Sequence, residues 1–289
     1  MRLFGELFWS GMIFTLLVSC SSMENVAPQL FSDGNDHREA GRFDEAEVSY
    51  REALELNPSL AAVQFNLALL LTHMERPREA VILLAELRQR DEENLLVLKA
   101  LGWALWWDGD FQGAYEAFES VVEIFKGDEE AWRGMALSLD ALKMPIKSLE
   151  AWRQVFALSQ KAEDAALVAT AFQKNENLSQ ARQWMKRAYH AGYRDAVFLE
   201  EAAEASSLAQ IPFDAVLYRQ ALKTVAPEDV GNLWELARLE LLVVQDYETG
   251  LMAIQEARQA GFDDENALQI LLEEAPPSLR EAVQQAYND

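Results

Sequence analysis

The chain has 289 residues, half of them apolar and a quarter charged, which excludes a disordered tail and suits one large folded domain or two. Its 13 glycines and eight prolines are too few for a β-sandwich or barrel rich in tight turns, so the composition points to helix. A formal net charge of −23 repels nucleic acid and anionic lipid headgroups, and a single cysteine excludes an intrachain disulfide or a cysteine-based zinc site.

The first element is an apolar run over residues 7–18, interrupted by Ser10, Gly11 and Thr15. A membrane-spanning helix needs about 20 apolar residues, so this run has instead the length of a secretory signal core. It ends in Leu17-Val18-Ser19-Cys20, which resembles the lipobox of bacterial lipoproteins, although the basic end is weak, with Arg2 offset by Glu6. The resemblance implies that residues 1–19 are a signal peptide, that cleavage precedes Cys20, and that the Cys20 thiol carries the lipid. Ser21 after the cysteine then implies sorting to the outer membrane, facing the periplasm, where the source has two membranes. Residues 20–26 would be a short tether holding the rest of the chain close to the bilayer.

Beyond it, small residues recur in pairs twelve apart: Gly34/Ala46, Ala68/Ala80, Gly102/Ala114, Ala136/Ser148, Ala169/Ala181 and Ala203/Ala215. The first members are spaced 34, 34, 34, 33 and 34 residues apart. A seventh pair, Ala237/Gly250, is thirteen apart, which predicts one inserted residue in its turn. Seven residues after each second member stands another apolar residue: Ala53, Leu87, Val121, Val155, Ala188, Leu222 and Ala257. Two antiparallel helices approach closely only where side chains are small, so each pair marks a helix crossing. Turn residues fall between the two helices, at Gly41, Arg76-Pro77, Asp108-Gly109-Asp110, Met144-Pro145 and Ile211-Pro212. After the second helices, Gly192 and Gly261 are placed to end a helix, each followed by an aromatic that can fold back.

This pattern resembles the tetratricopeptide repeat family, whose units are helix–turn–helix with a period of 34 residues. The resemblance is closest over residues 30–58, with Gly34, Phe43, Ala46, Tyr50, Ala53 and Asn57-Pro58, and over residues 98–124, with Leu101-Gly102, Phe111, Ala114 and Phe118. It implies an all-α solenoid of about seven antiparallel helix pairs in a right-handed superhelix, at 27–60, 61–94, 95–128, 129–162, 162–195, 196–229 and 230–264. Residues 265–289 complete it as capping helices, one over 265–274 and one, opened by a capping box of Ser278 and Glu281, to about Tyr287.

No phosphate loop, dinucleotide fingerprint, nucleophile elbow or zincin helix occurs, and His37, His73 and His190 share no metal-ligand spacing, so no enzyme, cofactor or metal site is expected. Acidic pairs such as Glu129-Glu130 and Asp263-Asp264 are placed to favour the N-terminal turns of helices.

By the same resemblance, positions 2, 5, 9, 12 and 13 of each repeat line a concave groove. They are Ala62, Phe65, Leu69, Thr72 and His73 in the second unit, and Leu96, Lys99, Trp103, Trp106 and Trp107 in the third. The fourth unit offers Glu130, Arg133, Leu137, Asp140 and Ala141, and the later ones Glu200, Glu204 and Glu235. A carboxylate clamp is not expected: Asn35 and Asn66 hold its asparagine positions, but Phe31, Leu96 and Ala100 stand where basic residues are needed. The candidate partner site is therefore Phe65, Leu69, Leu96, Lys99, Trp103, Trp106, Trp107 and Arg133, with Trp106 equally placed to stiffen the array by packing on neighbouring first helices. The expected function is that of a lipid-anchored scaffold or adaptor in the bacterial cell envelope, binding a protein or peptide; the alternative is a self-associating structural or ligand-binding homo-oligomer of the periplasm.

Overall fold

The computed structural model describes residues 26–288. The apolar run, Cys20 and most of the expected tether lie outside the described residues. Within them the chain is all helix, without strands. It divides into two compact units, the first running to Val155 and the second starting at Phe156, within one helix.

The first unit contains α1 (Val26–Glu39) and α2 (Phe43–Leu56), α3 (Ala61–His73) and α4 (Pro77–Arg90), α5 (Leu95–Asp108) and α6 (Phe111–Ile124), then α7 (Glu129–Ala141) and the start of α8 (Pro145–Ser159). The second holds the end of α8, then α9 (Ala162–Lys174) with α10 (Leu178–His190), α11 (Ala196–Leu208) with α12 (Pro212–Val225), and α13 (Val230–Leu239) with α14 (Tyr247–Gln259). Two last helices follow, α15 (Glu265–Glu274) and α16 (Arg280–Asn288). The sequence-derived helix pairs therefore stand where the small-residue period puts them.

The cause is local. All fourteen crossing residues are buried, Gly34, Gly102 and Gly250 among them. So are the apolar residues seven positions later, from Ala53 to Ala257. Small side chains let the two backbones approach, and Tyr50, Leu84, Phe118 and Leu222 fill the space around each crossing. Burying each such large side chain contributes about 1.5–3 kcal/mol relative to exposure. Phe118 is the tightest case. A Cβ on Gly102 would lie 2.8 Å from its ring, and one on Gly134, from the next repeat, would lie closer still.

Helix starts are capped by side chains at Asn94, Asp110, Asp128, Asn177, Asp195, Asp229, Asp246 and Asp264, each accepting from a backbone N–H one turn ahead. Glu129 and Glu130 occupy the first turn of α7, as their charge favours. Each hairpin turns through one residue with left-handed backbone, seven residues after the first crossing residue: Gly41, Glu75, Gly109, Lys143, Glu176 and Gln210. At Glu75 the loop closes as Glu75 N–H donates to Thr72 O and Arg76 N–H to Leu71 O.

The seventh pair differs from expectation. Its extra residue lies not in the turn but in the helix, where Glu240–Val244 winds as a π-helix at the end of α13. The left-handed residue, Gln245, thus stands eight positions after Ala237, and Asp246 N–H reaches back to Glu240 O. A wider turn absorbs one residue while keeping the backbone bonded, which leaves the tight connection unchanged. The capping box at Ser278 also does not form as expected: α16 begins at Arg280, so Ser278 is one residue short of the capping position. Gly192 and Gly261 do adopt positive φ, and the aromatics after them pack on neighbouring helices, Tyr193 on Phe198 and Phe262 in a stack on Trp234.

Candidate functional site

The first unit carries an open groove of about 620 Å³ between α3, its turn into α4, and α5. Leu69, Thr72 and His73 come from α3, Glu75 from the turn, Pro77 from the start of α4, and Ala100, Trp103 and Trp107 from α5. Three of the expected partner-site residues, Leu69, Trp103 and Trp107, thus meet in one place. Two others, Phe65 and Leu96, line a separate, smaller cavity of about 300 Å³ with Ala62, Leu87 and Arg90.

The three tryptophans have three different environments. Trp107 is 65% exposed and presents its indole to the groove. Trp103 is half-buried, its ring 5.0 Å from Phe118 and edge-on to it, and its indole N–H donates to Glu130 Oε1 at 2.9 Å. Trp106 does not line the groove. Beyond α5 the chain reverses at Gly109, and Phe111 at the start of α6 comes back against the Trp106 ring at 6.0 Å. Trp107 stands perpendicular to Trp106 at 5.0 Å, so the part-buried Trp106 backs the exposed ring. Its indole nitrogen is buried without a hydrogen-bond partner, a cost that the packing of the ring must offset. Its ring contacts lie within its own repeat, on Trp103, Trp107 and Phe111.

The two expected basic residues are both engaged. Lys99 Nζ sits 3.1 Å from Asp128 Oδ2 and 2.9 Å from Glu130 Oε2. Burial works against its charge, but the hydrogen bonds to Glu130 and Asp128 outweigh burial and raise its pKa above the ordinary lysine value. Arg133 pairs with Glu129 at 3.0 Å, one helical turn back. Neither cation is therefore held in reserve for a partner's carboxylate. Asp140, also expected in the groove, turns instead into its own hairpin, where it accepts from Ser148 Oγ at 2.6 Å and Trp152 Nε1 at 3.0 Å. The would-be clamp asparagines bond internally: Asn66 Nδ2 donates to Asn35 Oδ1 at 2.9 Å, and Tyr50 Oη donates to the same oxygen at 2.7 Å.

Sequence reasoning missed Glu75, Pro77 and the acceptor role of Glu130. Glu75 lies in the turn and Pro77 opens α4, both outside the first-helix register used to find groove positions. The third had a signal: Glu130 opens α7 at the second position of its repeat, beside the fifth and ninth positions of the repeat before it. Among the described residues no group of three His, Cys, Asp or Glu could hold a metal ion, and no helix is long and apolar enough to cross a membrane.

Residues 37–103 match the tetratricopeptide repeat family. No curated protein matches the chain. Among solved structures, the chain resembles Pseudomonas aeruginosa PilF at 20% identity and a TM-score of 0.55, covering 71% of this chain and 94% of that one. It also resembles a tetratricopeptide repeat protein from Parabacteroides merdae at 15% identity and a TM-score of 0.58, covering 90% and 99%. MamA aligns at 19% identity and a TM-score of 0.53, covering 55% and 93%. Such identities bear on fold alone. The chain is an all-helical array of tetratricopeptide-type helix pairs, with a family match over residues 37–103.

Proposed function

We propose that this protein is a lipid-anchored scaffold of the bacterial cell envelope that binds a protein or peptide segment in the groove of its first unit. The observation that carries the reading is Trp107, a large aromatic left 65% exposed inside a concave surface. Exposed aromatics in such a surface are the usual anchors of binding sites. The helix-pair fold supplies a rigid frame for it, since Trp106, itself packed on Phe111, backs the exposed ring. The lipid anchor rests on Leu17-Val18-Ser19-Cys20 and the apolar run before it.

Affinity capture from envelope extracts with the wild type and Trp107→Ala tests the groove. A partner recovered by the wild type should be lost or weakened by about tenfold in the variant, in line with hot-spot residues, while the melting temperature barely moves. A large loss of stability with capture intact would make Trp107 structural. Light scattering of the purified protein separates the alternative, because a concentration-independent monomer removes the self-associating reading. Cys20→Ala should accumulate as an uncleaved or mislocalised precursor; a variant processed and membrane-bound as before would overturn the anchor.

A further inference from the structure

Resting on the groove reading above, we infer that the groove selects a cationic segment, one that presents an arginine or lysine beside an apolar residue. The wall holds Trp103, Trp107, Leu69 and Pro77 together with one carboxylate, Glu75, at the turn between α3 and α4. The Glu75 carboxylate makes no hydrogen bond or ion pair among the described residues. The cations around it are committed elsewhere. Arg76 bonds Glu47 and Glu79, each at 2.6 Å, and Arg78 bonds Asp108 at 2.9 Å. Lys99 faces two carboxylates at once, Asp128 and Glu130, so that cluster is itself net negative.

The groove therefore combines indole faces, apolar walls and surplus negative charge. An indole face attracts a cation through its quadrupole, and the aliphatic stem of lysine or arginine lies well along apolar side chains. An acidic segment would meet Glu75 with no lysine or arginine among the groove residues to offset it. The chain as a whole carries a formal charge of −23, so long-range attraction also draws in a basic partner and repels an acidic one. The volume of about 620 Å³ suits a peptide segment rather than a flat protein face.

The test selects phage-displayed random peptides on the full chain in detergent, with Trp107→Ala as the counter-selection. The best peptide and a copy with its cations replaced by glutamine are then titrated calorimetrically. We expect the selected peptides to carry arginine or lysine next to an aliphatic or aromatic residue. Removing the cations should weaken binding about tenfold, and rising salt should do the same in part. Glu75→Gln should lower affinity for the basic peptide and leave the glutamine copy unaffected. Circular dichroism melting of both variants checks that they fold. Trp107-dependent peptides without positive charge, or equal binding of the basic peptide to Glu75→Gln, would overturn the inference while the groove reading stands. If no selected peptide depends on Trp107, the groove reading fails and the inference falls with it.

Discussion

The indole N–H of Trp103, on α5 of the third repeat, donates to Glu130 Oε1 on α7 of the fourth at 2.9 Å. Lys99 Nζ holds the other oxygen of the same carboxylate at 2.9 Å. One glutamate thus ties two residues of one repeat to the start of the next, on the rim of the groove. Half of the Glu130 side chain is exposed, so solvent screening limits what the ion pair contributes. The indole bond is the more specific of the two. A double-mutant cycle with Trp103→Phe and Glu130→Ala should give a coupling of about 0.5–1.5 kcal/mol in urea denaturation. Strict additivity would show that the bond contributes nothing to holding the repeats together.

Phe118 sits between two glycines, Gly102 of its own repeat and Gly134 of the next. In an exposed helix a glycine-to-alanine change stabilises by about 0.5–1 kcal/mol through lost chain entropy. At Gly134 the new methyl would strike the Phe118 ring, which is fully buried and has no room to yield. Gly134→Ala should therefore destabilise by about 1–3 kcal/mol, and Ala114→Leu, at the crossing itself, by a similar amount. Adding Phe118→Leu to Gly134→Ala should recover part of that loss. A thermal midpoint unchanged by Gly134→Ala would show that the helices part easily there.

What was legible in the sequence is what a single hairpin determines. The spacing of Ala68 and Ala80 places a helix crossing because both residues belong to adjacent helices of fixed length, and both are fully buried. What meets each ring or charge from the returning chain or the next helix pair was harder. Trp106 and Trp107 are neighbours in the chain, yet Phe111 covers one and leaves the other exposed. Periodicity puts both on nearly the same face, and only the path of the returning chain separates them. Lys99 was legible as a groove cation but not as a spent one, since its partners Asp128 and Glu130 stand far along the chain at the start of α7. Nor does sequence distinguish an insertion in a turn from one in a helix: Ala237 and Gly250 are thirteen apart either way, and a π-helix is too rare to expect.

The left-handed turn residues give a prediction that touches no contact. Gln210 has φ +58°, closes the α11–α12 hairpin through its N–H to Ser207 O, and is exposed. A non-glycine residue in this backbone region costs about 1–2 kcal/mol, partly offset because glycine loses more freedom on folding. Gln210→Gly should accordingly raise stability by about 0.5–1 kcal/mol. The reverse change at the equivalent turn, Gly109→Ala with φ +87°, should lower it by a comparable amount. Equal midpoints for the wild type and both variants would mean that the turns relax out of the left-handed region at no cost.

The last prediction concerns acid and the π-helix. Glu240 is only 2% exposed, accepts from Gln220 Nε2 at 3.0 Å through Oε1, and leaves Oε2 buried without a partner. Burial is the largest influence on it and pushes its pKa above the ordinary carboxylate value. The Gln220 hydrogen bond and the Lys223 charge pull the other way, the latter diminished because Lys223 pairs with Glu256. The sign follows from proton linkage. Between the unfolded and folded pKa values the folded state binds the proton more tightly, so raising the pH removes stability. The contribution of protonated Glu240 is therefore complete below about pH 4.5 and is lost as pH rises through the elevated folded value. Glu240→Gln keeps the shape and can still accept from Gln220, but it has no charge to bury. In urea denaturation from pH 5 to pH 8 the variant should be more stable than the wild type, with the gap widening as pH rises. Parallel curves across that range would show that Glu240 reaches water when it ionises, and that the π-helix opens to let it.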